Sequence, residues 1–233
     1  MKKLIRIFSL LLCTCITFFC SSCKPTTEIG NVASKLLSKG EYEIYISSID
    51  SIENVLEFEE KVIVLLGVTE NTQEKKIIMF SFNNKEDFSN AKNELKKIGN
   101  TLFEDSAGVY YKADEKQKTI VLMNQQTLLE EVNKLKGNSD LAKVITNLAN
   151  AEYEIVKIND QFIRAIKPLE GVEITKTVSV GVYENKNDLE EIYEGYLEKY
   201  AEEIKNETTA VGKKGTLIIV ASSKYALKDA LGK

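Results

Sequence analysis

The residues that could support covalent or metal chemistry are few and gathered in one place. All four cysteines, Cys13, Cys15, Cys20 and Cys23, fall in the first 23 positions, and the chain has no histidine and no tryptophan. Without histidine, the commonest general base and the commonest metal ligand are both missing. Neither a Ser-His-Asp nor a Cys-His arrangement can be assembled. Beyond Cys23 the usual cysteine and histidine zinc sites are excluded as well. Cys20-x-x-Cys23 has the spacing of a redox or metal pair, but it lies in an apolar N-terminal run without other ligands. An enzyme would have to work with carboxylates alone, as a glycoside-bond hydrolase does with two facing Asp or Glu.

The cysteines belong to an N-terminal segment, MKKLIRIFSLLLCTCITFFCSSC, which opens on Lys2, Lys3 and Arg6 and continues as an apolar run over 7–20. A positive start, about fourteen apolar residues and a small-residue zone are the parts of a secretory signal. Such a run is too short to span a bilayer, which takes about twenty residues. Cys20-Ser21-Ser22-Cys23 resembles a lipobox, with Cys20 where Leu is usual. The segment is thus similar to a bacterial lipoprotein signal. That resemblance implies cleavage before Cys23, diacylglyceryl and acyl chains (palmitate-type) on Cys23, and a lipid-anchored place in the cell envelope, outside the cytoplasm. It would be the outer membrane in a Gram-negative cell and the outer face of the cell membrane in a Gram-positive one. Release after Ser22 and an uncleaved anchor are the alternatives.

The rest of the chain is ordinary globular material, 43% hydrophobic and 28% charged overall. Without Lys2, Lys3 and Arg6, 28 basic residues face 35 acidic ones, a net charge of −7. No basic patch or stripe suggests nucleic-acid binding. No cofactor motif is present. Gly212-Lys213-Lys214-Gly215-Thr216 lacks the spacing of a phosphate loop and precedes a strand rather than a helix.

Two polar signatures recur. Asn84-Lys85-x-Asp87 and Asn185-Lys186-x-Asp188 each open a helical stretch, and read as N-caps with an acid three residues on, favourably placed for the helix dipole. Paired ligation of a cation or sugar by Asp87 and Asp188 is the other reading. Tyr193, Tyr196 and Tyr200 follow helical spacing with Leu189 and Ile192, and read as a core stripe or the lining of a groove. Tyr42, Tyr110, Tyr111 and Tyr153 lie on strands and are expected half-buried. Glu57, Glu59, Glu60 and Glu190, Glu191, Glu194 read as solvated faces without calcium-loop spacing.

The elements that would position these residues come in one order twice. A helix over 31–37, stopped by Gly40, leads into EYEI at Glu41, with Tyr42, Ile44 and Ile46 alternating inward. VIVLLGV at 62–68 reads as a strand buried on both faces, followed by a strand at 76–82 and one helix over 85–102. A hairpin at 109–123 turns through DEKQ, and helices at 125–136 and 140–150 follow. EYEI returns at Glu152, with strands at 161–167 and 172–183, a long helix over 186–206, a hairpin turning through GKKG, and a closing helix over 224–231. The pattern predicts an α+β fold made of two similar tandem repeats. Each has a helix, a mostly antiparallel sheet, an amphipathic helix, a β-hairpin and a closing helix. The divisions expected are a signal peptide over 1–22, a lipidated tether over 23–28, and repeats over 29–137 and 138–233.

Over 76–135 and 172–231 each half also resembles lipoproteins of Gram-positive anaerobes that pair a lipobox with a small α+β domain. That resemblance implies no particular activity. The expected function is a non-enzymatic binding or assembly module for an envelope protein or polymer, anchored through Cys23. A small-ligand receptor binding between the repeats, or a carboxylate-based hydrolase, are the alternatives.

Overall fold

The computed structural model describes residues 27–69, 74–103, 108–168, 175–183 and 185–233. The signal segment and Cys23 lie outside them. Among the described residues, eight helices and ten strands make a mixed α+β fold around an antiparallel sheet. The first elements are α1 (Glu28–Lys39), β1 (Tyr42–Ile52), β2 (Leu56–Thr69), β3 (Lys76–Ser81), α2 (Lys85–Asn93), α3 (Leu95–Leu102), β4 (Tyr110–Asp114), β5 (Thr119–Met123) and α4 (Leu128–Lys134). Then come α5 (Ser139–Asn150), β6 (Glu154–Asn159), β7 (Phe162–Pro168), β8 (Thr175–Val182), α6 (Lys186–Lys199), α7 (Ala201–Lys205), β9 (Ala210–Lys214), β10 (Leu217–Ala221) and α8 (Lys224–Leu231). No helix among the described residues is long and apolar enough to cross a membrane.

The sheet runs β4-β5-β3-β2-β1-β6-β7-β8-β10-β9. Strands β1 and β6 meet in the middle, antiparallel, with Tyr45 opposite Val156 and Ile46 opposite Ile155. Outward from that contact the order is β2, β3, β5, β4 on one side and β7, β8, β10, β9 on the other.

Directly opposed residues share a face, so the register traces rows across the sheet. One row, Val121, Met79, Leu65, Ile46, Ile155, Ala165, Val178 and Ala221, is buried from end to end. Four helices cover it: α1, α4, α5 and α8 all place side chains in the same core, which draws on both halves of the chain. The next row, Leu122, Ile78, Leu66, Tyr45, Val156, Arg164, Ser179 and Val220, faces the other way. On this face α2 and α3 bury Leu122 and Ile78 in a second core, through Phe88, Ala91, Leu95 and Ile98.

Several local expectations are corrected. The helix over 85–102 is two helices, broken at Glu94 (φ −99°, ψ 11°), where the Lys97 N–H bonds back to the Glu94 carbonyl in a tighter turn. The helix over 186–206 breaks likewise at Tyr200 (φ −106°, ψ 20°). Neither break carries Gly or Pro, so sequence offers no marker. The second hairpin turns at Gly215 (φ 57°) and Thr216, with Gly212, Lys213 and Lys214 in β9. Helix α4 is shorter than the expected 125–136, and α1 is longer than 31–37 because Thr27 caps it and its hydroxyl accepts the Gly30 N–H. The strand expected from 172 is described from Thr175, and the turn over 168–171 lies largely outside the described residues.

Candidate functional site

The capping motifs come first because they fix the helices beside the candidate site. Asn84 caps α2: its side-chain oxygen accepts the Asp87 N–H at 2.7 Å. Asp87 does more than neutralise the helix dipole. Its carboxylate accepts the Glu59 and Glu60 amides of β2 at 3.0 and 3.1 Å, and the Asn84 Nδ2 at 2.8 Å. Burial pushes its pKa up, but these three donors outweigh it and hold the carboxyl below its ordinary range. Asn185 Nδ2 donates to Asp188 at 2.9 Å, the same contact in the second half. Asp188 is exposed there. The two aspartates stand in separate helices, and no group of three potential ligands forms a metal site among the described residues.

The tyrosine stripe is not core. Tyr193, Tyr196 and Tyr200 are half-buried, and only Leu189 of the stripe is buried. Tyr196 and Tyr200 stack at 6.2 Å, and Phe162 and Tyr183 meet edge to face at 6.3 Å. With Ser179, Gly181, Lys199, Ile218 and Val220, the rings of Phe162, Tyr196 and Tyr200 line a cavity of about 230 Å³ between α6 and the sheet, and Tyr183 stands beside it against Phe162. Burial, and then a hydrogen bond with Tyr196, raise the Tyr183 hydroxyl pKa, so it stays a neutral donor. Lys199 lies over the Tyr200 ring, 5.2 Å from its centroid. Of the strand tyrosines expected half-buried, Tyr42 and Tyr153 are fully buried, because they point into the helix-covered core, while Tyr110 and Tyr111 on edge strand β4 are exposed. Glu57, Glu59, Glu60, Glu190, Glu191 and Glu194 are exposed, as read from sequence.

On the same face, beside α3, a larger cavity of about 440 Å³ is lined by Tyr45, Ile49, Val64, Leu66, Ile78 and Phe80, among others. Lys76 and Glu53 are its charged members. Lys76 is committed, donating to the Leu102 carbonyl at 2.7 Å and lying 4.9 Å from the Phe103 ring centroid. Neither cavity is lined by two carboxylates.

Between these cavities none of the described elements covers the sheet. Tyr45 is 39% exposed and Ile158, at a bulge in β6, is 57% exposed. Arg164 and Ser179 are exposed beside them. Strands β1, β6, β7 and β8 are consecutive, so Tyr45 and Ser179 stand three strand spacings, about 14 Å, apart. The result is a trough whose floor interleaves Tyr45, Val156 and Ile158 with exposed Glu43, Glu154 and Arg164, with helix pairs α2–α3 and α6–α7 on either side.

Sequence reasoning named Tyr196 and Tyr200 but missed Tyr45, Phe162 and Arg164. The available signal was alternation. Once Tyr42, Ile44 and Ile46 are assigned inward, Tyr45 lies on the outward face, where a large aromatic needs an explanation. No protein-family model, curated protein or solved structure matches the chain.

Proposed function

We propose that the chain is a membrane-anchored extracytoplasmic lipoprotein. In this reading it acts as a non-enzymatic binding or assembly module, and the bare centre of its sheet holds an envelope partner. The observation that carries the proposal is the trough. Antiparallel sheets commonly leave one face to solvent, but that face is then polar. Here it carries Tyr45, Val156 and Ile158 between two cavities. An uncovered apolar patch rimmed by polar residues marks an interaction surface.

The two halves are proposed to be copies of one α+β unit. Reading outward from β1 and β6 gives the same strand order on each side. Each half has a helix before its first strand, a broken helix before its hairpin, and a closing helix after it. Joined through their first strands, two such units put the trough at their seam, and the partner would touch both.

The anchor geometry supports the same reading. Thr27 sits at the start of α1, in the helix layer on the far side of the sheet from the trough. A lipid on Cys23 would therefore leave the trough turned away from the bilayer.

The test is a photoreactive phenylalanine at Tyr45 in the lipidated protein, compared with one at exposed Asn150 on α5. A single envelope component crosslinked from Tyr45 and not from Asn150 is expected. Crosslinking from neither position, or equally from both, sinks the proposal. The 440 Å³ cavity favours a second reading, a receptor for a small apolar ligand. A thermal upshift with a small ligand, abolished by Tyr45→Ala, would select it.

A further inference from the structure

The inference rests on the lipoprotein reading and concerns the surface that meets the bilayer. A cavity of about 300 Å³ lies in the seam between α5 and α8. Lys143, Lys214, Lys228 and Lys233 line it, against a single side-chain carboxylate, Asp229, and the α-carboxylate of Lys233. The Asp229 carboxylate is already engaged, accepting the Tyr153 hydroxyl at 3.0 Å and pairing with Lys176 at 3.5 Å. Lys143, Lys228 and Lys233 have no ion-pair partner among the described residues. On a chain whose body carries net −7, these lysines are gathered around one cavity.

Its place is what identifies the ligand. Asn147 of α5 lines the cavity and donates to the Ala230 carbonyl of α8 at 3.1 Å. The preceding residue, Thr146, holds the point where the chain enters the body: the Thr27 N–H reaches its hydroxyl at 3.2 Å, and the two hydroxyls are 3.1 Å apart. The entry point and the lysine cavity thus lie on either side of one turn of α5, about a helix diameter or 10 Å apart. Cys23 stands four residues before Thr27, a reach of at most about 14 Å. A lipid on Cys23 therefore holds this seam at most about 24 Å from the headgroups, two to three Debye lengths with the tether fully extended and fewer with it folded back.

We infer that the α5–α8 cavity takes the phosphate headgroup of an anionic membrane lipid, seating the helix layer on the bilayer. Basic pockets of this kind bind such headgroups at membrane surfaces.

The test uses the mature lipidated protein in vesicles of phosphatidylcholine, with or without phosphatidylglycerol, and reads lysine acetylation by peptide mass. Phosphatidylglycerol should protect Lys143, Lys228 and Lys233, high salt should restore labelling, and Lys96 and Lys97 on α3 should be unaffected. In Lys143→Gln with Lys228→Gln, protection of Lys233 should weaken by about fivefold for each lysine removed. Equal labelling in both vesicles, protection of Lys96 and Lys97, or protection by inorganic phosphate in phosphatidylcholine vesicles would overturn the inference. The N-terminal peptide mass from the same sample separates the two levels. A lipidated Cys23 without protection removes only this inference, whereas an unlipidated N-terminus removes the lipoprotein reading and this inference with it.

Discussion

Asp87 is 2% exposed and carries its charge because three N–H groups point at it. It therefore clamps the start of α2 to β2 as well as capping it. In Asp87→Asn one amide hydrogen must face a backbone donor, so at least one buried donor loses its acceptor. The expected loss is about 2 kcal/mol in urea unfolding. The pH dependence has a definite sign. A carboxyl with a depressed folded-state pKa stabilises fully above its unfolded value, near 3.8, and loses that contribution as pH falls through the lower folded value. Wild type should lose stability over this acid window, and the Asn variant should lack that part of the loss. Parallel acid profiles would show that Asp87 is not ionised in the fold. The exposed Asp188, with the same spacing, should give a much smaller effect.

At the scale of elements, the decisive contact is between α1 and α5. A Cβ at Gly30 would meet the Ala142 carbonyl oxygen and the Thr146 hydroxyl. On helix propensity alone Gly30→Ala would stabilise by about 1 kcal/mol. Forcing a methyl against a backbone carbonyl costs about 1–3 kcal/mol, and backbone yields less than a flexible side chain. Net destabilisation in urea is the expected result, and a more stable variant would mean the helices separate easily. The broken helices follow a different logic. Breaking at Glu94 lets Phe88 and Ala91 on α2, then Leu95 and Ile98 on α3, all reach a sheet that twists beneath them.

At the scale of the molecule, the halves share a sheet, a core and cross-half bonds. Lys157 Nζ of β6 donates to the Gly40 carbonyl at the end of α1 at 2.6 Å, and Lys61 Nζ of β2 donates to the Glu152 carboxylate at 3.1 Å. Cutting between them would expose Ile46, Leu65, Ile155 and Ala165, all at 1% or less. One cooperative urea transition is expected, reported alike by probes in each half. Two separated transitions would mean two independently stable domains. The other face is asymmetric: α2 and α3 bury a second core with a cavity at its edge, whereas α6 stands over a cavity without such a core beneath it. Tyr45→Ser and Arg164→Ala should therefore weaken partner capture while leaving that urea transition in place. A loss of folding in either would place the residue in the framework rather than on a binding surface.

By itself the sequence determined what is local or counted: the missing histidine, the order of elements in each half, the Asn84 cap, the Gly40 stop and the alternation of β1. These follow from side-chain chemistry and from periods of a few residues, which need no knowledge of the rest of the chain. Only the tertiary structure decided that β1 pairs with β6, that Asp87 bonds the amides of Glu59 and Glu60, and that Tyr45 shares a trough with residues more than a hundred positions away. The tyrosine stripe of α6 shows why. Its helical spacing marks an apolar face, but whether that face is sealed depends on how closely α6 approaches β8 and β10. That approach is set by packing between distant side chains, and a single helix does not record it.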